Sequence, residues 1–238
     1  MTDPGFKNVK IFADGADLQG LLELAGQPHI AGFTTNPTLM RQSGVSDYEG
    51  FARKVLEHIT DRPISFEVFA DDHGEMVRQA HLIASWGRNV YVKIPVTDTR
   101  GQSTAPVVRE LTDSGVHVNV TALMTLSQVE AVTATLAGGS EAVISVFAGR
   151  VADTGRDPVP LMRAALETIA PHPQLELLWA SPREILNVCQ ADDIGVHIIT
   201  VTHGLLKKLA LLGRDLEAFS LETVRMFHTD ATTAGYLL

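Results

Sequence analysis

Apolar residues recur along this chain in two rhythms. Period-two runs occupy residues 10–14, 32–36, 64–70, 90–96, 117–123, 142–148, 176–181 and 196–201, and segments with helical spacing lie at 18–25, 48–59, 75–86, 105–114, 126–136, 160–169, 182–189 and 205–212. An amphipathic stretch at 221–236 closes the sequence. Eight strands alternating with eight helices in 238 residues, close to the ~250 of the fold, predict a single (β/α)8 TIM barrel over residues 1–238 with a C-terminal helix. An open doubly wound sheet is the alternative. No Gly-x-Gly-x-x-Gly follows the first strand and no Gly-x-x-x-x-Gly-Lys-Ser/Thr occurs anywhere, so the nucleotide-binding signatures that often accompany that alternative are missing.

Parity within the strands carries the next step. The run Val90-Tyr-Val-Lys-Ile-Pro-Val96 puts four aliphatic residues on one face and Tyr91, Lys93 and Pro95 on the other. The same division sets Phe12 with Asp14, Gly32 with Thr34 and Asn36, Ser65 with Glu67 and Phe69, His117 with Asn119 and Thr121, and Ser145 with Phe147. Strands joined by helical crossovers run parallel and are covered by helices outside, so the polar face must point into the barrel. Asp14, Asn36, Glu67, Lys93, Thr121, Ser145 and Ser181 fall in the middle or C-terminal half of their strands, the end at which barrel active sites are built. An unpartnered buried polar group costs ~1–3 kcal/mol, so a set this large argues for a site rather than a core.

Composition narrows the partners. With 45% hydrophobic residues the chain can bury a large core, and a net charge of −9 argues against nucleic acid or an anionic membrane as the main partner. Cys189 is the lone cysteine, which excludes an intramolecular disulfide and fits a reducing compartment. The first residues lack the layout of a secretory signal, and no apolar run approaches the ~18 residues of a membrane helix. A cytoplasmic, soluble protein is expected.

The nine histidines show neither His-x-His nor His-Glu-x-x-His spacing, so no metal site and no cofactor is expected, and His117 alone sits within a strand's polar face. What remains is one interior lysine among carboxylates, amides and hydroxyls. A neutral lysine can attack a ketone and lose water to give a Schiff base, an electron sink for breaking the neighbouring carbon–carbon bond. Phe69, Phe147 and Trp179 are the apolar neighbours expected to desolvate it.

Six motifs, in order, now resemble those of the transaldolase family, including its small members and the related fructose-6-phosphate aldolases. They are Phe12-Ala-Asp-Gly-Ala-Asp17, Gly32-Phe-Thr-Thr-Asn-Pro-Thr38, Val92-Lys-Ile-Pro-Val-Thr97, Val118-Asn-Val-Thr121, Ile144-Ser-Val-Phe-Ala-Gly-Arg150 and Ala180-Ser-Pro-Arg183. The resemblance implies that Lys93 forms the Schiff base, that Asp14 handles the proton of the substrate's C4 hydroxyl, and that Glu67 and Thr121 hold a proton-shuttling water. It further implies that Asn36, Asn119 and Ser145 grip the three-carbon dihydroxyacetone unit, with Thr34 lining the same site. Arg150, Ser181 and Arg183 take the place of the family's phosphate clamp.

The implied activity is transfer of a dihydroxyacetone unit from fructose 6-phosphate or sedoheptulose 7-phosphate to an aldose phosphate, as in the pentose phosphate pathway. Small-molecule sugar phosphates are the expected partners, along with further copies of the chain in a homo-oligomer. The amphipathic final stretch could cover its own barrel or reach a neighbouring subunit. Aldolase-type cleavage is the alternative activity. Glu67 and Phe147 favour transfer, since the aldolases tend to carry glutamine and tyrosine there. A barrel that binds sugar phosphates without turnover, or one that needs a metal, belongs to other classes. Independently of family, Ser181-Pro-Arg-Glu184 reads as a helix start, with Ser181 as N-cap, and hence as an anion site. Pro182 departs from the larger apolar or aromatic residue usual after that serine in the family.

Overall fold

A computed structural model describes residues 5–237. Eight parallel strands close in chain order into a barrel: β1 (Lys10–Asp14), β2 (Ile30–Thr34), β3 (Ile64–Glu67), β4 (Val90–Pro95), β5 (Val118–Leu123), β6 (Ala142–Val146), β7 (Leu175–Trp179) and β8 (Ile198–Thr202). The helices are α1 (Leu18–Ala25), α2 (Pro37–Gln42), α3 (Tyr48–Leu56), α4 (His73–Ala84), α5 (Ala105–Asp113), α6 (Leu126–Leu136), α7 (Ala148–Asp153), α8 (Val159–Ile169), α9 (Leu186–Ile194), α10 (His203–Leu206) and α11 (Leu216–Ala234), with a 3-10 turn at Lys207–Leu211. This is the (β/α)8 barrel with a C-terminal helix that the period-two and helical runs predict.

Local chemistry sets the helix starts. Asp17, Asp47 and Asp72 accept hydrogen bonds from backbone amides three residues on, and Thr125 with Gln128 forms a reciprocal capping box at α6. The aliphatic strand face packs outward, where Val90, Val92 and Ile94 join Met76, Ala80, Ile83, Val107 and Leu111 of the flanking helices in one buried cluster. Burying each such side chain contributes about 1.5–3 kcal/mol. A second, smaller cluster of Phe12, Val143, Leu178, Ala180 and Ile198 forms apart from it. Phe12 reaches across to β2, where a Cβ on Gly32 would stand 2.5 Å from its ring, so glycine is what lets that ring in.

Several boundaries differ from the sequence expectation, each for a local reason. Strand β2 ends at Thr34, and Asn36 leaves the strand to cap α2 through Leu39 N at 3.0 Å. Strand β3 ends at Glu67, so Phe69 is 66% exposed, packs edge-on against Tyr48 and lines no part of the cavity that holds Lys93. Trp179 is fully buried, but in the outer cluster with the helices, because its neighbour Leu178 takes the inward position. His117 precedes β5 and stacks on Tyr91 at 5.1 Å; it lines no part of the cavity that holds Lys93.

The helix expected over 182–189 begins at Leu186 instead, and Ser181 does not cap it. Ser181 sits in the left-handed region at φ 61°, and Asn187 Oδ1 accepts from Arg183 N and Glu184 N at 2.8 and 3.2 Å. The final helix starts at Leu216, and none of its residues is buried. Among the described residues, no helix is long and apolar enough to cross a membrane.

Candidate active site

All twelve residues proposed from sequence as catalytic or substrate-binding line one cavity of about 560 Å3 at the C-terminal ends of the strands. The register explains why: β-ladder pairing sets Asp14 beside Thr34 and Thr34 beside Ser65, and two residues further along β3 it sets Glu67, Lys93 and Asn119 side by side, so inward positions on five neighbouring strands fall on two successive levels.

Lys93 is 6% exposed. Its Nζ donates to Thr35 O at 2.9 Å and lies 3.3 Å from Glu67 Oε2. Asp14 keeps some solvent contact through the cavity mouth and accepts from Thr34 Oγ1 at 2.8 Å, which in turn meets Thr200 Oγ1 at 2.5 Å. Burial pushes the Asp14 carboxyl above the ordinary aspartate range; the nearby Lys93 charge and the Thr34 hydroxyl pull it back, and Glu67 adds to the rise. On the opposite wall Ser145 Oγ donates to Asn119 Oδ1 at 2.7 Å, and Asn119 Nδ2 donates to Ser65 Oγ at 3.1 Å. Thr121 Oγ1 is buried without a hydrogen-bond partner among the protein atoms, which leaves its hydroxyl to whatever enters the cavity. Next to it Ala122 takes φ 67°, where β5 slips register against β6, and its strained backbone also lines the cavity.

The outer wall carries Phe147, Arg150, Ser181 and Arg183. The Arg150 guanidinium lies 5.4 Å from the Phe147 ring centroid, and Arg183 forms a forked ion pair with Asp153, its Nε donating to Oδ1 at 3.0 Å. The amides of Arg183 and Glu184 are already satisfied by Asn187, so the helix-start anion site expected from Ser181-Pro-Arg-Glu184 is not formed. Here α7 packs tightly on the loop after β7: a Cβ on Gly149 would stand 1.5 Å from Ser181 O. Gly149→Ala is therefore expected to displace this wall, costing ~1–3 kcal/mol in denaturant unfolding and weakening inorganic phosphate binding in a calorimetric titration. Wild-type values for both would contradict the packing.

Two contributors escaped the sequence reading. Thr200 lies on β8, inside an aliphatic run, and only the strand's inward parity could have flagged it. Tyr48, on α3, reaches in so that its hydroxyl donates to Glu67 O at 2.9 Å and accepts from Glu67 N at 2.8 Å, and burial keeps the phenol protonated. The β2–β3 ladder stops at Thr34 and Ser65, and the phenol takes over at the very next inward residue. Nothing in local spacing announces such a long-range insertion. Tyr48→Phe strands both Glu67 backbone groups, and its unfolding free energy in urea is expected to fall by ~1–3 kcal/mol with an unchanged slope.

No three His, Cys, Asp or Glu side chains among the described residues cluster as metal ligands would.

The profile of the family described as transaldolase/fructose-6-phosphate aldolase matches residues 11–236. A probable transaldolase of Chelativorans sp. (strain BNC1) is 37% identical over 216 residues, covering 89% of this chain and 94% of its own. A probable transaldolase of Dehalococcoides mccartyi is 31% identical over 202 residues, covering 84% and 90%. Among solved structures, an HpcH/Hpal aldolase/citrate lyase family protein from Burkholderia cenocepacia J2315 superposes with a TM-score of 0.61 at 14% identity, over 93% of this chain and 96% of that one, a likeness of fold alone. With a match that runs from the first barrel strand through the terminal helix, the chain belongs to the transaldolase/fructose-6-phosphate aldolase family.

Proposed function

We propose that this chain is a transaldolase that works through a Schiff base on Lys93. The observation that carries the reading is a single interior amine, 3.3 Å from one carboxylate and within electrostatic reach of a second, in a cavity lined with hydroxyls and two amides. Before attack a proton must leave Nζ, and Glu67 is the nearest carboxylate to take it. The amine then adds to the C2 carbonyl of a phosphorylated ketose, and loss of water gives the iminium. Glu67 and the free Thr121 hydroxyl flank the place where that proton traffic has to pass.

Asp14 takes the C4 hydroxyl proton, the C3–C4 bond breaks, and its electron pair moves into the iminium to leave an enamine. The released product is an aldose phosphate. The enamine adds to the aldehyde carbon of a second aldose phosphate, Asp14 returns the proton, and water frees the new ketose from Lys93. Thr34 holds the Asp14 carboxylate in place, while Asn36, Asn119 and Ser145 supply donors and acceptors for the three-carbon unit. The side-chain oxygen of Asn36 is occupied in capping α2, so its Nδ2 is the atom offered to substrate. Phe147 brings no hydroxyl that could pass a proton to water or a free aldehyde, which supports transfer over simple cleavage.

The final helix, none of whose residues is buried and with Val224 59% and Phe227 63% exposed, supports a homo-oligomer as part of the same reading. The reaction itself is tested with fructose 6-phosphate by following glyceraldehyde 3-phosphate release with and without erythrose 4-phosphate. Release that depends on the acceptor is expected; equal release in both would assign the aldolase activity instead, and none in either would remove the reading.

A further inference from the structure

Resting on that reading, we infer that Asp153 sets how strongly the site favours phosphorylated sugars, by engaging the Arg183 guanidinium in competition with the substrate's phosphate. The fork of Arg183 is committed along its Nε–Nη2 edge to the two oxygens of Asp153. A planar guanidinium offers a carboxylate and a phosphate the same bidentate geometry, so the two anions compete for it. The backbone offers no substitute, because Asn187 occupies the amides of Arg183 and Glu184.

Arg150 stands on the same short helix three residues before Asp153, yet the carboxylate pairs across to Arg183 and not along the helix. Among the described residues Arg150 makes no ion pair; its guanidinium rests on Phe147. An incoming phosphate therefore meets Arg150 as a free cation and Arg183 as a compensated one. Two positive side chains less one negative leave a net charge of +1 facing a dianion. The packing of Gly149 against Ser181 O seats α7 against the Arg183 loop, which puts Asp153 within reach of Arg183.

Arg183 and Asp153 are 46% and 51% exposed, so solvent screens the pair and the expected effect is moderate. Asp153→Asn should raise the ratio of kcat/KM for fructose 6-phosphate over kcat/KM for fructose by roughly fivefold, the upper end for an exposed ion pair. In a ping-pong reaction this donor ratio does not depend on the acceptor. Asp153→Glu, which keeps the charge, should stay within about twofold of the parent, and the gain should disappear when Asp153→Asn is combined with Arg183→Gln.

A ratio that is unchanged or lower in Asp153→Asn would overturn the inference, since Asp153 would then orient Arg183 for the phosphate. An equal gain with and without Arg183 would also overturn it, because the carboxylate would be acting by charge alone. Trapping dihydroxyacetone on Lys93 with borohydride in each protein separates the two levels. An unmodified Lys93 in the parent would remove the catalytic reading and this inference with it, whereas trapping with an unchanged ratio would remove only the role of Asp153.

Discussion

Lys93→Met is expected to lower transfer from fructose 6-phosphate by ~10^5-fold or more, the scale reached when a covalent nucleophile is taken away. The substitution keeps an unbranched apolar stem as far as Cε but removes the one atom that can bond to the ketose carbon. Methionine also leaves Glu67 without its 3.3 Å partner, but Glu67 faces the open cavity with an 18% exposed side chain, so water can replace the lost contact and the fold should survive. Lys93→Arg is a sharper companion. It keeps a cation near Glu67 and should be equally inactive, since a guanidinium does not become a neutral nucleophile near neutral pH. Steady-state rates of both variants, together with far-UV circular dichroism to show that they are folded, check the expectation. Activity above about a thousandth of the parent in either one would contradict it.

Asp14→Asn should separate bond breaking from imine formation. The asparagine keeps the shape and the contact with Thr34 but cannot take the C4 hydroxyl proton, so kcat should drop by ~10^2–10^4-fold, the range for a lost general base, while the ketose still condenses with Lys93. The pH dependence follows from the raised carboxyl of Asp14. Cleavage needs the carboxylate, so kcat/KM of the parent should fall on acidification at a pH above the ordinary ~3.9 of aspartate, and this limb should vanish in Asp14→Asn.

Stability should move the other way. A carboxyl whose folded value lies above its unfolded one favours the fold most below about 3.9, and that contribution is lost as the pH rises through the folded value. At pH 7 the raised carboxyl of Asp14 is thus a cost that asparagine does not carry. The inactive variant should then be the more stable protein at neutral pH, measured as a higher urea midpoint than the parent. Equal or lower stability at pH 7 would mean that burial does not dominate at Asp14.

The barrel is legible because a parallel strand under helices repeats one simple division, aliphatic outside and polar inside, and β1, β4, β5 and β6 carry it, broken only by the inward Phe12 and Val143 and by the register slip of β5 at Ala122. The same division assigns Asp14, Lys93, Asn119, Thr121 and Ser145 to the interior, and all five line one cavity. It failed where the strand stopped sooner than its pattern. Phe69 continues the inward parity of β3 on paper, but the strand ends at Glu67 and the ring turns out to solvent.

At Ser181 the failure was one of competing local signals. Serine, proline and a later glutamate all suit a helix start, yet the left-handed backbone at Ser181 and the Asn187 side chain satisfy this segment in another way. Short helices such as α2 and α7 have six residues each, too few for a periodic stripe to show. The Tyr48 insertion and the Arg183–Asp153 pair join residues 19 and 30 positions apart, a separation at which sequence patterns are silent.

The claim on which all of this depends is that Lys93 bonds covalently to a ketose. Borohydride reduction of the protein in the presence of fructose 6-phosphate, followed by peptide mass spectrometry, addresses it without any coupled assay. The account predicts a reduced three-carbon adduct on the peptide containing Lys93 and none in Lys93→Met; an unmodified Lys93 peptide, or the same adduct on another lysine in both proteins, would contradict it.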